Sequence, residues 1–218
     1  MSSARDDILA RVRTALGPNP APVTVPRQYR RTSTVDNVVE LFADRLRDYG
    51  ATVVHVTPDG VAAAIAEQVR GRVRVAPGLP WLEAGPEGPR VGGVAVEVDD
   101  GGPAAELDAV DTAVTAAAAA CAVTGTIVLD GSPDQGRRAL TLVPDRHVCV
   151  VHSGQIVGTV PELIARLNPR APLTFVSGPS ATADIELKRV KGVHGPRQLV
   201  VVIVADTTGP SIRRSTDG

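Results

Sequence analysis

The sequence is poor in metal ligands of the cysteine and histidine type. Its 218 residues include two cysteines, Cys121 and Cys149, which lie in no CxxC spacing. The histidines are scattered and form no HExxH pair: His55, His147, His152 and His194. A zinc site or an iron–sulfur cluster normally takes about four such ligands. We therefore expect no metal site and no cofactor in this chain.

Aromatic residues, net charge and long apolar runs are also scarce. Aromatics make up 2% of the chain and the net charge is −1. A nucleic-acid-binding protein would need a basic face and stacking aromatics, so we expect no nucleic-acid partner. No apolar run approaches the roughly 20 residues that span a bilayer, and the first residues contain no apolar signal-peptide core. We expect a cytoplasmic protein without a membrane span.

The first residues predict a separate amphipathic helix over 1–17. Ser3 and Asp6 have the spacing of a capping box, and Gly17 begins the sequence that ends the helix. A proline-rich connector follows to residue 33. The predicted organisation is therefore an arm over 1–33, a domain over 34–205 and a disordered tail over 206–218. The apolar stripe of the arm must pack against this domain, a second copy of the chain or a partner.

The remaining chain predicts strands and helices in alternation. The predicted strands are 51–56, 72–76, 93–98, 109–113, 126–130, 147–151, 173–178 and 198–204. The predicted helices are 35–49, 61–70, 115–122, 137–142, 159–167 and 183–191. The later strands are continuous apolar runs, which is typical of a parallel sheet covered on both faces. The sequence thus predicts an α/β fold, a three-layer α/β/α sandwich with a mostly parallel sheet.

The segment SGPSATAD, over residues 177–184, is the first candidate site. It follows a predicted buried strand and opens a predicted helix, and open α/β sheets bind ligands at such strand ends. The free N–H groups of a first helical turn attract anions. The candidate ligand-binding residues are Ser177, Gly178, Pro179, Ser180, Thr182 and Asp184. The same residue types are also ordinary helix caps, so both interpretations stay open.

Two further turns carry candidate residues. Residues 192–196 contain Gly192, His194 and Gly195, and the His194 imidazole suits proton transfer or contact with an anion. A histidine at a helix end can instead satisfy the last carbonyls. A small-residue turn adds Thr124, Gly125 and Thr126. With a simple topology, the turns at 177–184 and 192–196 would lie at opposite ends of the sheet.

The stretch SGPSATADIELKRVKGVHGP resembles the LUD-domain family, within it the lactate utilisation protein C group. The segments TGTIVL and RALTLVPDRHVCVV agree with that family in order and spacing. The resemblance implies a fold like the NagB/RpiA/CoA-transferase group. It also implies oxidation of L-lactate to pyruvate together with two partner proteins that carry iron–sulfur centres. Many family members have a carboxylate before TGT, where this chain has Val123. No catalytic residue follows from the resemblance.

Three functions stay open at this point. The first is a non-redox subunit or accessory of a lactate-oxidising iron–sulfur system, binding a small carboxylate or partner subunits. The second is an enzyme of its own on an anionic substrate such as a sugar phosphate, a CoA ester or a folate, which rests on analogy of fold. The third is an interaction module, which the separate helix over residues 1–17 and the lack of a catalytic constellation favour.

Overall fold

The computed structural model describes residues 3–18, 24–28, 32, 34–183, 189–191 and 194–205, with backbone alone at 182, 183 and 189–191. It contains two compact units, Met1–Arg30 and Arg31–Gly218. In the first unit, helix α1 (Ala4–Leu16) begins after Ser3, whose Oγ accepts a hydrogen bond from the Asp6 N–H at 3.3 Å. The predicted helix and capping box are confirmed. The predicted domain limits stay a prediction, and the tail over 206–218 lies outside the described residues.

The second unit contains the remaining helices and all the described strands. Its helices are α2 (Val38–Asp48), α3 (Val61–Gln68) and α4 (Val160–Arg166), with 3-10 turns at Pro58–Gly60, Ala104–Ala109, Arg138–Thr141 and Ser153–Gln155. Its first seven strands are β1 (Thr52–Val56), β2 (Val73–Val75), β3 (Arg90–Val91), β4 (Val94–Ala95), β5 (Glu97–Val98), β6 (Thr112–Thr115) and β7 (Ala119–Cys121). The others are β8 (Thr126–Leu129), β9 (Arg146–His152), β10 (Ile156–Val157), β11 (Thr174–Val176), β12 (Ala181–Ala183), β13 (Arg189–Lys191) and β14 (Gln198–Val204).

A six-stranded sheet of order β1-β14-β9-β6-β2-β5 forms the centre, and every neighbouring pair in it is parallel. Its strands β9 and β14 are buried almost from end to end. Apolar runs without alternation are buried on both faces, since successive side chains point to opposite sides. The predicted α/β class with a mostly parallel sheet is confirmed. The similarity to the NagB/RpiA/CoA-transferase group stays a prediction.

The two faces of the central sheet pack against different layers. On one face, called the α3 face, Val200 and Val202 pack with Val61 and Ile65 of α3. On the other, called the α2 face, three central-sheet residues (Cys149, Val201 and Ile203) pack with residues of α2 and of a second sheet: Phe42, Leu46, Ala120 and Ile127. This second sheet has the order β10-β7-β8-β11 and mixes parallel and antiparallel pairs. Part of the covering layer is therefore a sheet instead of helices.

The predicted helix over 115–122 is wrong. Residues 112–115 form β6, and Ala119–Cys121 form β7, which pairs antiparallel with β8. Alanine favours helices, but propensity is a weak prior that tertiary packing overrides. Here Ala119 and Cys121 pack toward α4 while Ala120 packs toward the central sheet. Small side chains let this strand lie between two layers, so pairing and burial decide its conformation.

Three other predictions need correction. The strand predicted over 93–98 is divided into β4 and β5, which belong to different sheets. The strand predicted as buried over 173–178 is β11, at the edge of the second sheet, where Phe175 is 50% exposed. The helix predicted over 183–191 is wrong at both of its described ends, because Ala181–Ala183 and Arg189–Lys191 pair as antiparallel strands. Pairing between the two arms competes with the helix-forming residues of this stretch.

Candidate functional site

A cavity of about 240 Å³ lies on the α2 face, against the amino-terminal ends of β9 and β14. This volume is below the roughly 300–1,000 Å³ of sites for drug-sized ligands, so it suits a small metabolite. Its lining residues are Arg138, Thr141, Leu142, His147, Phe175, Val176, Ser177, Gly178, Pro179, Ser180, Ala181, His194, Gly195, Pro196 and Leu199.

The structure brings the two main predicted loops together in this cavity. The Ser180 N–H donates to the Pro196 carbonyl at 2.8 Å, and the His194 N–H donates to Ser180 Oγ at 3.2 Å. These two bonds connect the loop before β12 with the loop after β13. The loops meet because the chain between them begins and ends as paired strands, so it returns to its starting point. A helix would have carried the second loop away from the first.

The position of the cavity differs from the predicted one. The sequence predicts a site beyond the carboxyl end of a parallel strand, at the start of a helix. However, β11 is an antiparallel edge strand, and residues 181–183 form a strand rather than a helical turn. His147 and Leu199 are each the second residue of their parallel strands, so the cavity lies at the amino ends of those strands. The described part of this loop therefore does not present the free N–H groups with which the start of a helix attracts an anion.

The turn with Thr124 and Thr126 supports the cavity from behind. Thr126 Oγ1 lies 2.8 Å from Ser177 Oγ and donates to Thr124 Oγ1 at 2.8 Å. The described lining of the cavity includes none of residues 124–126. The hydroxyl groups of Thr124, Thr126 and Ser177 thus connect this turn to the site. Of these three residues, Ser177 lines the cavity.

Two glycines let α2 lie directly on these turns. Gly125 has φ +57°, and a Cβ there would stand 2.8 Å from Cβ of Arg45. Gly178 has φ +86°, and a Cβ there would stand 2.6 Å from Cβ of Tyr49. Both distances are shorter than carbon atoms can approach without displacement, and positive φ is costly for other residues. Two physical causes therefore require glycine at position 178.

Arg138 is the cation of the site, and sequence reasoning missed it. The preceding Arg137 holds this segment in place by two bonds from its guanidinium to Asp99, at 2.8 and 2.9 Å. Arg138 then begins the 3-10 turn, and its guanidinium donates to Thr141 Oγ1 at 3.3 Å. Among the described residues it has no carboxylate partner, and the described lining contains no Asp or Glu. The cavity therefore favours an anion.

His147 was also missed as a site residue. It lines the cavity although only 2% of it is exposed, and its Nε2 lies 2.8 Å from Thr115 Oγ1. Burial, with the nearby charge of Arg138, lowers the pKa of His147 to about 4. A signal was available, because His147 and Thr115 are polar residues inside apolar strands, and buried polar groups need partners. His152 of the same strand stacks on Trp81 instead, with 6.0 Å between ring centroids.

Some predicted residues cannot be placed in this site. Asp184 and Gly192 lie outside the described residues, as does the side chain of Thr182. Within the described ranges, no three His, Cys, Asp or Glu residues converge as ligands for a metal ion. A search of the same ranges for a helix long and apolar enough to cross a membrane found none.

Comparison with known proteins places these features in a family. The profile of the LUD domain matches residues 99–204, which include β6 to β14 and both cavity loops. A protein of Deinococcus radiodurans called lactate utilization protein C is 44% identical over 87% of this chain and 86% of its own length. A protein of the same name from Bacillus licheniformis is 27% identical, covering 93% of this chain and 96% of that protein.

A solved structure agrees with these matches. The crystal structure of a DUF162 family protein from Deinococcus radiodurans superposes with a TM-score of 0.62 at 39% identity. The similarity covers 77% of this chain and 96% of that one. The domain match, the extent of the sequence identity and the shared fold agree, and the chain belongs to the LUD-domain family.

Proposed function

We propose that this chain is a lactate utilisation component that binds a small carboxylate in the cavity beside Arg138. The observation that carries this proposal is the composition of the cavity, where a guanidinium without a described carboxylate partner faces hydroxyl and imidazole groups. Arginine binds carboxylates with strong charge-assisted hydrogen bonds. The relatives named lactate utilization protein C support lactate or pyruvate as that carboxylate.

The proposal places the redox centres in iron–sulfur partner proteins. Oxidation of lactate to pyruvate releases two electrons, which must pass to an acceptor. This chain has two cysteines, both buried as free thiols. Burial raises the pKa of Cys149 to about 12, and metal ligation requires a thiolate. These thiols are poor cluster ligands, which supports a division of labour in which this chain binds the organic acid or the partner subunits.

Titration calorimetry of the whole chain with L-lactate at pH 7 tests the carboxylate site. Arg138→Gln should weaken binding about tenfold or more, since a hydrogen bond to a charged group contributes about 1.5–3 kcal/mol. Arg170→Gln is the matched control, because Arg170 is exposed and does not line the cavity. Thermal denaturation of both variants checks the fold. Equal affinities for the two variants, or no binding by the wild type, would overturn the proposal.

A larger anionic substrate is the second candidate. The observation that favours it is that Arg138 also lines a neighbouring cavity of about 460 Å³, whose described lining contains no Asp or Glu. A sugar phosphate, a CoA ester or a folate would need this additional space. The same calorimetry with glucose 6-phosphate, acetyl-CoA and folate separates the two candidates. Tighter binding of one of these than of L-lactate, lost in Arg138→Gln, would favour the second.

A further inference from the structure

A chain of three buried side chains stands behind the cavity wall. It begins at His147, whose Nε2 lies 2.8 Å from Thr115 Oγ1. It continues from Thr115 Oγ1 to Cys149 Sγ at 3.8 Å, and from Cys149 Sγ to the Ala116 carbonyl at 3.6 Å. The three side chains are fully or almost fully buried, and of them only His147 lines the cavity. The chain therefore connects the cavity to a backbone acceptor inside the core.

The acceptor at the end of this chain makes the Cys149 thiol a donor, and the bond from Thr115 to Cys149 then sets the remaining direction. A carbonyl only accepts, so the Cys149 thiol donates its hydrogen to Ala116. The pKa of Cys149 is raised to about 12, which keeps that hydrogen in place at neutral pH. The Thr115 hydroxyl then donates to Cys149 Sγ, and its oxygen accepts from His147. This direction assigns the His147 proton to Nε2.

This tautomer leaves a lone pair on Nδ1 of His147. The pKa of His147 is lowered to about 4, so the ring is neutral at pH 7 and Nδ1 is an acceptor. The described residues donate no hydrogen bond to it. Because His147 belongs to the cavity wall, a bound molecule can supply the missing donor. The charge of Arg138 acts on the same ring, so a cation and a neutral acceptor face one cavity.

We infer that His147 determines specificity by accepting a hydrogen bond from the 2-hydroxyl of a 2-hydroxy acid, and that Thr115 is its positioning residue. This inference rests on the proposed function, in which Arg138 binds the carboxylate. A 2-oxo acid of the same carbon skeleton has the carboxylate but no hydroxyl donor. Its keto oxygen would meet the Nδ1 lone pair without a hydrogen between them. The cavity should therefore hold the hydroxy acid more tightly than its oxidation product.

The test compares binding of L-lactate and pyruvate by calorimetry at pH 7. The wild-type chain should bind L-lactate about tenfold to a hundredfold more tightly, the cost of leaving a buried acceptor unpaired. Thr115→Val keeps the side-chain shape but removes the acceptor that fixes the tautomer, so this preference should fall toward one. Thr115→Ser keeps the hydroxyl and should retain the preference for L-lactate. Equal affinities in the wild type, or an unchanged preference in Thr115→Val, would overturn the inference.

A second measurement does not depend on ligand binding. The wild-type chain labelled with ¹⁵N-histidine should show, by NMR, a neutral His147 with the proton on Nε2 at pH 6. The His147→Gln spectrum assigns its resonances among the four histidines. A proton on Nδ1 would overturn this inference and leave the proposed function intact. If neither acid binds, the proposed function fails, and the tautomer still tests the direction of the hydrogen bonds between His147, Thr115 and Cys149.

Discussion

The central sheet and the second sheet differ in how they are built. The central strands β9 and β14 are seven residues long and almost wholly buried, with Val201 and Ile203 on the α2 face. The strands of the second sheet are two to four residues long, and the edge strand β11 leaves Phe175 half exposed. Both sheets contain strands buried on both faces, but the second sheet ends in the short edge strand β11, which is only partly covered. The cavity is formed where these two regions meet, between the starts of β9 and β14 and the loop after β11.

The largest difference should appear when one apolar side chain is removed from each sheet. Ile203→Ala leaves a cavity in the α2 face and should lower the free energy of unfolding by about 2–5 kcal/mol. Phe175→Ala removes a half-exposed ring at the sheet edge and should cost about 1 kcal/mol. Urea denaturation followed by circular dichroism measures both. If the two variants lose similar stability, the contrast between the sheets is wrong.

A smaller effect should come from the turn that joins β11 to the cavity. Gly178→Ala adds the cost of positive φ and places a Cβ 2.6 Å from Cβ of Tyr49, so we expect a loss of about 2–3 kcal/mol. Gly88→Ala is the matched control, because Gly88 also has positive φ but an added Cβ would meet nothing within 4 Å. It should cost about 1 kcal/mol. Thermal melts compare the two variants, and equal losses would show that α2 does not fix this turn.

The most gradual effect, spread over several pH units, should come from His147. Its pKa is about 4 in the folded chain, against an ordinary value of 6.5. Between these values the unfolded chain binds a proton that the folded chain excludes, so stability decreases as the pH falls from 6.5 to 4. The slope is at most about 1.4 kcal/mol per pH unit. The pKa of Glu97 is lowered to about 2 by hydrogen bonds from Arg72 and Arg74, so Glu97 acts mainly below this range.

Urea denaturation at several pH values measures this slope. His147→Gln should flatten it, because glutamine does not titrate. The exposed His55 supplies the control, and His55→Gln should leave the slope as it is in the wild type. A wild-type slope that persists in His147→Gln would mean that other groups produce it, and that His147 is not held neutral by burial.

The candidate site was predicted in part. The loops at Ser177, Ser180 and His194 were identified from residue types that bind anions, and the structure gathers them around one cavity. Their meeting could not be predicted, because the sequence between them favours a helix and the chain forms paired strands at its two ends. Arg138 was missed because an arginine in a short turn looks like an ordinary solvated residue. Arg138 matters to the site because it faces a cavity whose described lining contains no Asp or Glu side chain.

The sequence by itself determined the parallel core, the helix caps and the glycines of the turns. These features depend on local patterns: apolar runs such as β14, the Ser3 and Asp6 spacing, and the backbone freedom of Gly178. Only the tertiary structure decided that the alanine-rich segment is a strand, that the two loops meet and that Thr115 orients His147. The physical reason is that strand pairing and buried hydrogen bonds join residues far apart in the chain. Their free energies outweigh local propensity only once the layers have packed.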